Sequence, residues 1–177
     1  MQSRSYCCGM KKILFLHGLE SSPGGKKSKY LQSLGYEVLN PALPKDSFEE
    51  SCLIAQNLVD EENPDVIVGS SRGGAVALSI DPGAAPLVLI APAWKRYGVG
   101  RSNLRFDTTI IHSREDEVIP YEESEELIEG TFLAIHEYGK DHRMNHPEVM
   151  LGLLFAIEGS EGLLHWSRSY DRINGWL

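Results

Sequence analysis

Gly69-Ser70-Ser71-Arg72-Gly73 is the stretch of this chain whose residue types and spacing best fit chemistry. It matches G-x-S-x-G, a pattern that marks a nucleophilic serine when a strand runs into it and a helix leaves it. The β-branched run Val66-Ile67-Val68 precedes it, and the small helix formers from Gly74 onward follow. The glycines have a steric purpose. So tight a turn holds its serine in a strained backbone conformation and leaves little room for a Cβ on either side. Ser71 Oγ is then expected above the end of a sheet, where an acyl carbonyl can meet it, with Ser70 shaping the turn beneath.

A serine hydroxyl is a weak nucleophile until a base within hydrogen-bond reach takes its proton, and that base needs an orienting group. Downstream of Ser71 the sequence offers both in turn. His112-Ser113-Arg114-Glu115-Asp116-Glu117-Val118-Ile119-Pro120 places acids between a predicted strand and a Pro-started helix. Asp116 is the candidate acid, with Glu115 and Glu117 as its neighbouring alternatives. Glu137-Tyr138-Gly139-Lys140-Asp141-His142 then runs from a strand into a loop ending in histidine. His142 is the candidate base, and His146, just before Pro147, is its rival. His17 comes too early in chain order, His112 and His136 lie in or at the end of strands where a packing role fits, and His165 falls in an irregular tail. The oxyanion of a tetrahedral intermediate also needs fixed N–H donors. The N–H of Arg72 follows the serine, and the N–H of Leu19 lies in the loop after an early strand, where Gly18 lets the backbone turn inward. The Arg72 side chain is expected on the surface, paired with an acid.

The elements that position these groups can be read from periodicity. Apolar runs at 12–16, 36–39, 66–70, 87–91, 108–112 and 132–135 read as strands, the central ones apolar on both faces. Helices are predicted over 26–34, from a Ser47/Glu50 capping box to Pro64, over 73–80, 120–129 and 147–156. Strands and helices thus alternate about six times. That is the mark of an α/β fold with a mostly parallel sheet of about six strands and helices on both faces. Functional groups gather at the carboxyl ends of such strands, and His17, Ser71, Asp116 and His142 all follow a predicted strand. The longest unassigned stretch, Ala93 to Asp107, leaves little room for a cap domain. Its Trp94 and Tyr97 are the candidates to line an acyl pocket, so an open site preferring short acyl groups is expected.

The chain has 177 residues, enough for one domain with a sizeable core. Residues 11–177 are expected to form that domain and 1–10 a flexible extension, with Met10 as an alternative start. The net charge of −8 argues against nucleic acid and against an anionic membrane. The beginning of the chain has no apolar signal core, and three cysteines with two adjacent make a poor disulfide framework. A cytoplasmic location follows from these as an expectation, with no cofactor and no metal, and with a small acyl compound as the partner. Two patterns are set aside. Ser22-Pro23-Gly24-Gly25-Lys26-Lys27-Ser28 lacks the first glycine and the final placement of a phosphate-binding loop, and Lys26, Lys27 and Lys29 read as a solvated helix face. The acidic run Glu122 to Glu129 reads as the surface of an amphipathic helix.

With these residues in place, the chain resembles the small, lidless α/β-hydrolases of the bacterial YqiA-like esterase type. Phe15-Leu16-His17-Gly18-Leu19-Glu20-Ser21-Ser22-Pro23 is similar to that group's H-G-x-x-S-S-P, and Gly69-Ser70-Ser71-Arg72-Gly73-Gly74 to its G-S-S-x-G-G. Gly139-Lys140-Asp141-His142 completes a likeness running from about Ile13 to Leu154. The resemblance implies the α/β-hydrolase fold and cofactor-free hydrolysis of short acyl esters. By position it implies Ser71 as nucleophile, Asp116 as acid and His142 as base. Ser113 departs from it, standing where the superfamily often has glycine. A thioesterase or amidase would use the same triad, and a silent relative that binds a ligand or protein would share the fold.

Overall fold

The computed structural model describes residues 11–159. The expected extension at 1–10, His165 and the tail anchors Leu163, Leu164, Trp166 and Trp176 lie outside them.

Among the described residues six strands form one sheet, β1 (Lys12–Leu16), β2 (Glu37–Leu39), β3 (Val66–Ser70), β4 (Leu87–Ile90), β5 (Thr109–His112) and β6 (Ile135–Glu137). Their spatial order is β2-β1-β3-β4-β5-β6, and every pair is parallel. Parallel neighbours need crossovers, and helices α1 (Lys26–Ser33), α2 (Phe48–Glu62), α3 (Arg72–Ser79) and α4 (Tyr121–Ile128) supply most of them, with α5 (Pro147–Glu158) after β6.

Successive side chains of a strand point to opposite faces, and the core divides accordingly. Ile13, Phe15, Val66, Val68, Val88, Ile90 and Ile111 pack with Tyr30 and Leu31 of α1 and Val149, Leu153 and Ile157 of α5. Leu14, Leu16, Ile67, Leu87, Leu89 and Ile110 pack on the other face with Ala55 and Val59 of α2, Val76 and Ala77 of α3 and Leu127 of α4. This is why the central strands are apolar throughout. No helix of the described residues is long and apolar enough to cross a membrane.

Element ends move where local hydrogen bonds compete. Tyr36 N–H donates to Leu31 O in the turn that closes α1, so β2 starts one residue later than predicted. β6 starts at Ile135 rather than Phe132. Thr131 N–H and Oγ1–H both donate to Ile128 O, and Leu133 N–H donates to Thr131 Oγ1. This turn leaves Phe132 fully exposed. The α2 cap is as predicted, with Glu50 N–H donating to Ser47 Oγ at 3.1 Å. Between β4 and β5, the stretch 91–108 carries a single 3-10 turn at Lys95–Tyr97.

Candidate active site

At the carboxyl end of β3 the chain passes directly into α3. Ser71 is the joint, with φ 54° and ψ −116°. A non-glycine residue at positive φ costs on the order of 1–3 kcal/mol and persists only where its surroundings hold it. Here Ser71 N–H donates to Ile90 O at 2.8 Å, and Ser71 O accepts from Gly74 and Ala93. The glycines are required by close approach. A Cβ on Gly69 would lie 2.5 Å from Gly73 O, one on Gly73 2.0 Å from Leu16 O, and one on Gly74 2.9 Å from the Pro92 side chain. Because the turn is only one residue, α3 begins at Arg72, a residue or two before its predicted start.

The loops after β5 and β6 bring Asp116 and His142 to this turn. His142 Nε2 lies 2.9 Å from Ser71 Oγ, and His142 Nδ1 lies 2.8 Å from Asp116 Oδ2. An ionised carboxylate only accepts, so Nδ1 carries the proton and Nε2 is left to accept from the serine hydroxyl. The Asp116 side chain is fully buried. Burial by itself would push its carboxyl up. Hydrogen bonds from His112, His142 and the N–H groups of Ile119 and Val118 outweigh that and hold it well below the usual carboxylate range. Val118 and Ile119 both donate to Oδ1 at 2.8 Å.

The β5 histidine, expected as a packing residue, does more. His112 is fully buried, its Nε2 3.1 Å from Asp116 Oδ2 and its Nδ1 2.7 Å from Ser124 Oγ. It links the acid to α4. Nothing in its spacing from Asp116 signals this, since the loop between them sets where the carboxylate points. Ser113, the departure from the family pattern, is buried and donates to Gly139 O at 2.9 Å, tying the acid loop to the histidine loop. Of the acids beside Asp116, Glu117 accepts from His142 N–H at 3.1 Å. His146 caps α5 and lies 3.4 Å from Asp141 Oδ2, so it is held in a pair of its own.

The loop after β1 passes against Ser71. A Cβ on Gly18 would be 3.3 Å from Ser71 Cβ, so the main chain from Gly18 to Leu19 runs beside the hydroxyl. His17 anchors this loop, buried, with Leu43 N–H donating to its Nε2. Arg72 N–H opens α3, where a helix leaves its first N–H groups without intrahelical partners.

These loops enclose a cleft of about 720 Å³, lined among others by His17, Leu19, Ser71, Arg96, Glu117, His142 and Arg143. Three sequence expectations need correction. Trp94 and Tyr97 do not line the cleft. The Trp94 indole N–H donates to Glu123 O at 2.9 Å, and Tyr97 stacks on Phe48 at 4.6 Å, so the 3-10 turn presents Arg96 to the cleft instead. The Arg72 side chain is buried rather than on the surface. Its Nη2 reaches Pro44 O at 2.6 Å, Ser47 O at 3.0 Å and Ser51 Oγ at 2.9 Å, and its guanidinium lies 5.8 Å from the Phe48 and Tyr97 rings. The available signal was that α3 reads small and apolar throughout, which leaves it no solvent face. Lys27 is not on a solvated face: it is buried and lines the cleft. Its ammonium donates to Arg143 O at 2.7 Å and Asn145 Oδ1 at 3.3 Å. Burial pulls its pKa down to about 8, with Asp141 opposing and Lys26 adding to the shift.

The all-parallel sheet, the strained serine between its third strand and the following helix, and the acid and histidine loops beyond define the α/β-hydrolase fold, which the chain has. Comparison with solved structures agrees. The chain is similar to MGS-MChE2, an alpha/beta hydrolase enzyme from the metagenome of sediments of the Mar Chica lagoon in Morocco, at 22% identity and a TM-score of 0.63, covering 85% of this chain and 91% of that one. It is similar to alpha/beta hydrolase domain-containing protein 10 from mouse at 16% identity and a TM-score of 0.62, covering 86% and 89%. It is also similar to the esterase domain of a Rhodothermus marinus protein at 19% identity and a TM-score of 0.60, covering 82% and 86%. No protein-family model and no curated protein matches the chain.

Proposed function

We propose that the protein is a serine hydrolase, a carboxylesterase of the YqiA-like type that cleaves short acyl esters through an acyl-enzyme on Ser71. The observation that carries this reading is the continuous hydrogen-bond path from Ser71 Oγ through both ring nitrogens of His142 to the buried Asp116. The hydrolase and esterase descriptions of the structural neighbours support it at the level of class.

In this reading Ser71 Oγ attacks the acyl carbon as its proton passes to His142 Nε2. Asp116 stabilises the imidazolium without taking its proton. The negative oxygen rests on the N–H groups of Leu19 and Arg72. Collapse breaks the bond to the leaving alcohol, whose oxygen receives the proton from Nε2. Water then attacks the acyl carbon, giving its proton to His142. The Ser71–acyl bond breaks, the proton returns to Oγ, and the acid is released.

A fluorophosphonate probe tests the nucleophile. Labelling of the native chain, lost in Ser71→Ala, is expected, and an unlabelled native protein refutes the reading. Hydrolysis rates over a 4-nitrophenyl ester series test the substrate class. An optimum at short acyl groups is expected, and an optimum at long chains refutes that part.

A further inference from the structure

Cations are unevenly placed around the cleft. Lys26, Lys27, Arg96 and Arg143 all line it, in a chain with net charge −8. Among the described residues none of these is paired with a carboxylate, a state shared outside the cleft by Lys29, Arg72, Arg101 and Lys140, whereas Lys11, Lys12, Lys45, Lys95, Arg105 and Arg114 are paired. Their bonds go to neutral acceptors instead. Lys26 donates to Asn145 O, Lys27 to Arg143 O and Asn145 Oδ1, and Arg96 to Val118 O.

Those contacts also fix where the charge sits. Lys27 and Lys26 are held on the 143–145 segment that directly follows His142. Arg96 is held on Val118, whose own N–H donates to Asp116. The positive groups are thus fastened to the two loops that carry the candidate base and acid. Two carboxylates share the lining, and both have partners: Glu20 pairs with Lys45 at 3.7 Å, and Glu117 accepts from His142 N–H. Lys27 is the informative member. A buried ammonium normally has an opposite charge beside it, because desolvating it alone is costly; the charge acting on Lys27 is that of Asp141, which opposes the fall in its pKa without forming a salt bridge to it. With three N–H donors and two acceptors in reach, it keeps one donor for a ligand. Four cations against two carboxylates leave the lining net positive, and a concave site of net positive charge attracts anions.

We propose that the cleft takes an ester bearing a second, anionic group, a carboxylate or a phosphate, which Lys27, Lys26, Arg143 and Arg96 bind away from the scissile carbonyl. The inference rests on the serine-hydrolase reading and narrows its substrate class. The anion can belong to the acyl part or to the alcohol, and the experiment separates these sources.

The test compares matched substrates on the full chain. The acyl arm sets the mono-4-methylumbelliferyl ester of glutaric acid against 4-methylumbelliferyl valerate. The alcohol arm sets 4-acetoxyphenyl phosphate against phenyl acetate. In at least one arm the ratio of kcat/KM, anionic over neutral, is expected to exceed about tenfold at low ionic strength and to fall as salt is added. Lys27→Met and Arg143→Ala are expected to lower that ratio several-fold, and exposed Lys29→Ala, outside the cleft lining, to leave it unchanged. Thermal unfolding of each variant shows whether it is folded, and Lys26→Ala with Arg96→Ala repeats the comparison if Lys27→Met is not. Preference in the acyl arm assigns the anion to the acid, and preference in the alcohol arm assigns it to the leaving group. Hydrolysis of the neutral esters with no anionic preference in either arm, or a preference that survives these substitutions, overturns the proposal and leaves the hydrolase reading standing. No hydrolysis of any of the four, together with no fluorophosphonate labelling, overturns both.

Discussion

Replacing Gly73 by alanine adds one methyl group and is expected to disable the site. The new Cβ would lie 2.0 Å from Leu16 O, 2.5 Å from Leu16 C and 2.9 Å from His17 O. All three are backbone atoms of β1 and the loop it feeds, so no side chain can rotate away. Ordinary contact begins at 3.4 Å, so β1 and α3 must separate by roughly 1 Å or more. Forced overpacking of this kind costs about 1–3 kcal/mol or more. The larger effect is on geometry. Leu16 leads directly into Gly18 and Leu19, which pass beside Ser71, and a misplacement of about 1 Å at reacting groups can cost on the order of 100-fold in rate. The expected outcome is a fall in kcat/KM on 4-nitrophenyl butyrate of about 100-fold or more, with a lower thermal midpoint. Gly100→Ala is the control, since its Cβ meets nothing within 4 Å, and is expected to match the parent in both measurements. A Gly73→Ala protein with the parent's rate and midpoint would refute the claim that close approach of α3 to β1 positions the Gly18–Leu19 loop beside Ser71.

Asp116→Asn is expected to lower kcat by about 10⁴-fold. With its amide oxygen kept on the Val118 and Ile119 N–H groups, the new NH₂ faces His142 Nδ1 and forces the ring proton onto Nε2, where it cannot accept from Ser71. Because the folded carboxyl is depressed, its contribution to stability is complete above the unfolded value of about 4 and is lost as pH falls through the folded one. Denaturant titrations in acid should therefore show a shallower loss in Asp116→Asn than in the parent. Arg72→Leu keeps the backbone N–H but strips donors from Pro44 O, Ser47 O and Ser51 Oγ, and is expected to lower unfolding free energy by about 2–4 kcal/mol. A change below about 0.5 kcal/mol would show the buried guanidinium to be dispensable. Lys27 has its folded pKa at about 8, below the unfolded value of about 10.4. The cost of burying its charge is full below pH 8 and is relieved as pH rises between the two, by up to ~3 kcal/mol. Stability measured across that window should rise less in Lys27→Met than in the parent, and equal slopes would contradict the assignment.

The cleft owes its positive lining to how loops meet, which residue order does not encode. Lys27 stands three, four and seven residues before Tyr30, Leu31 and Leu34, so helical period puts it on the packed face of α1, but a lysine in Lys26-Lys27-Ser28-Lys29 reads as solvated by type. It becomes buried because the segment after His142 folds over it and offers Arg143 O and Asn145 Oδ1. The buried place of the Arg72 side chain is hidden from the sequence for a related reason: the polar cradle around its guanidinium comes from residues 44–51, more than twenty positions upstream. Aromatics in an unassigned loop have no period to orient them: Trp94 packs against the core with its N–H on Glu123 O, and Tyr97 stacks on Phe48.

Much else was already determined by residue order. Alternating apolar runs and helical stretches specify a parallel sheet covered on both faces, because such strands can bury their side chains only that way. Gly69, Gly73 and Gly74 around Ser71 specify a turn that only missing Cβ atoms permit, and the candidate acid and histidine follow later strands in the order the proposed chemistry would use. Residue order favours Asp116 and His142 and leaves Glu115, Glu117 and His146 open; the tertiary structure puts Asp116 at the His142 ring, Glu117 only at its backbone N–H, and His142 rather than His146 at Ser71. It also decided that His112 shares the acid's oxygen. Hydrogen bonds act over about 3 Å, and which side chains come that close across loops 26 to 71 residues apart depends on how the strands are ordered and the helices packed.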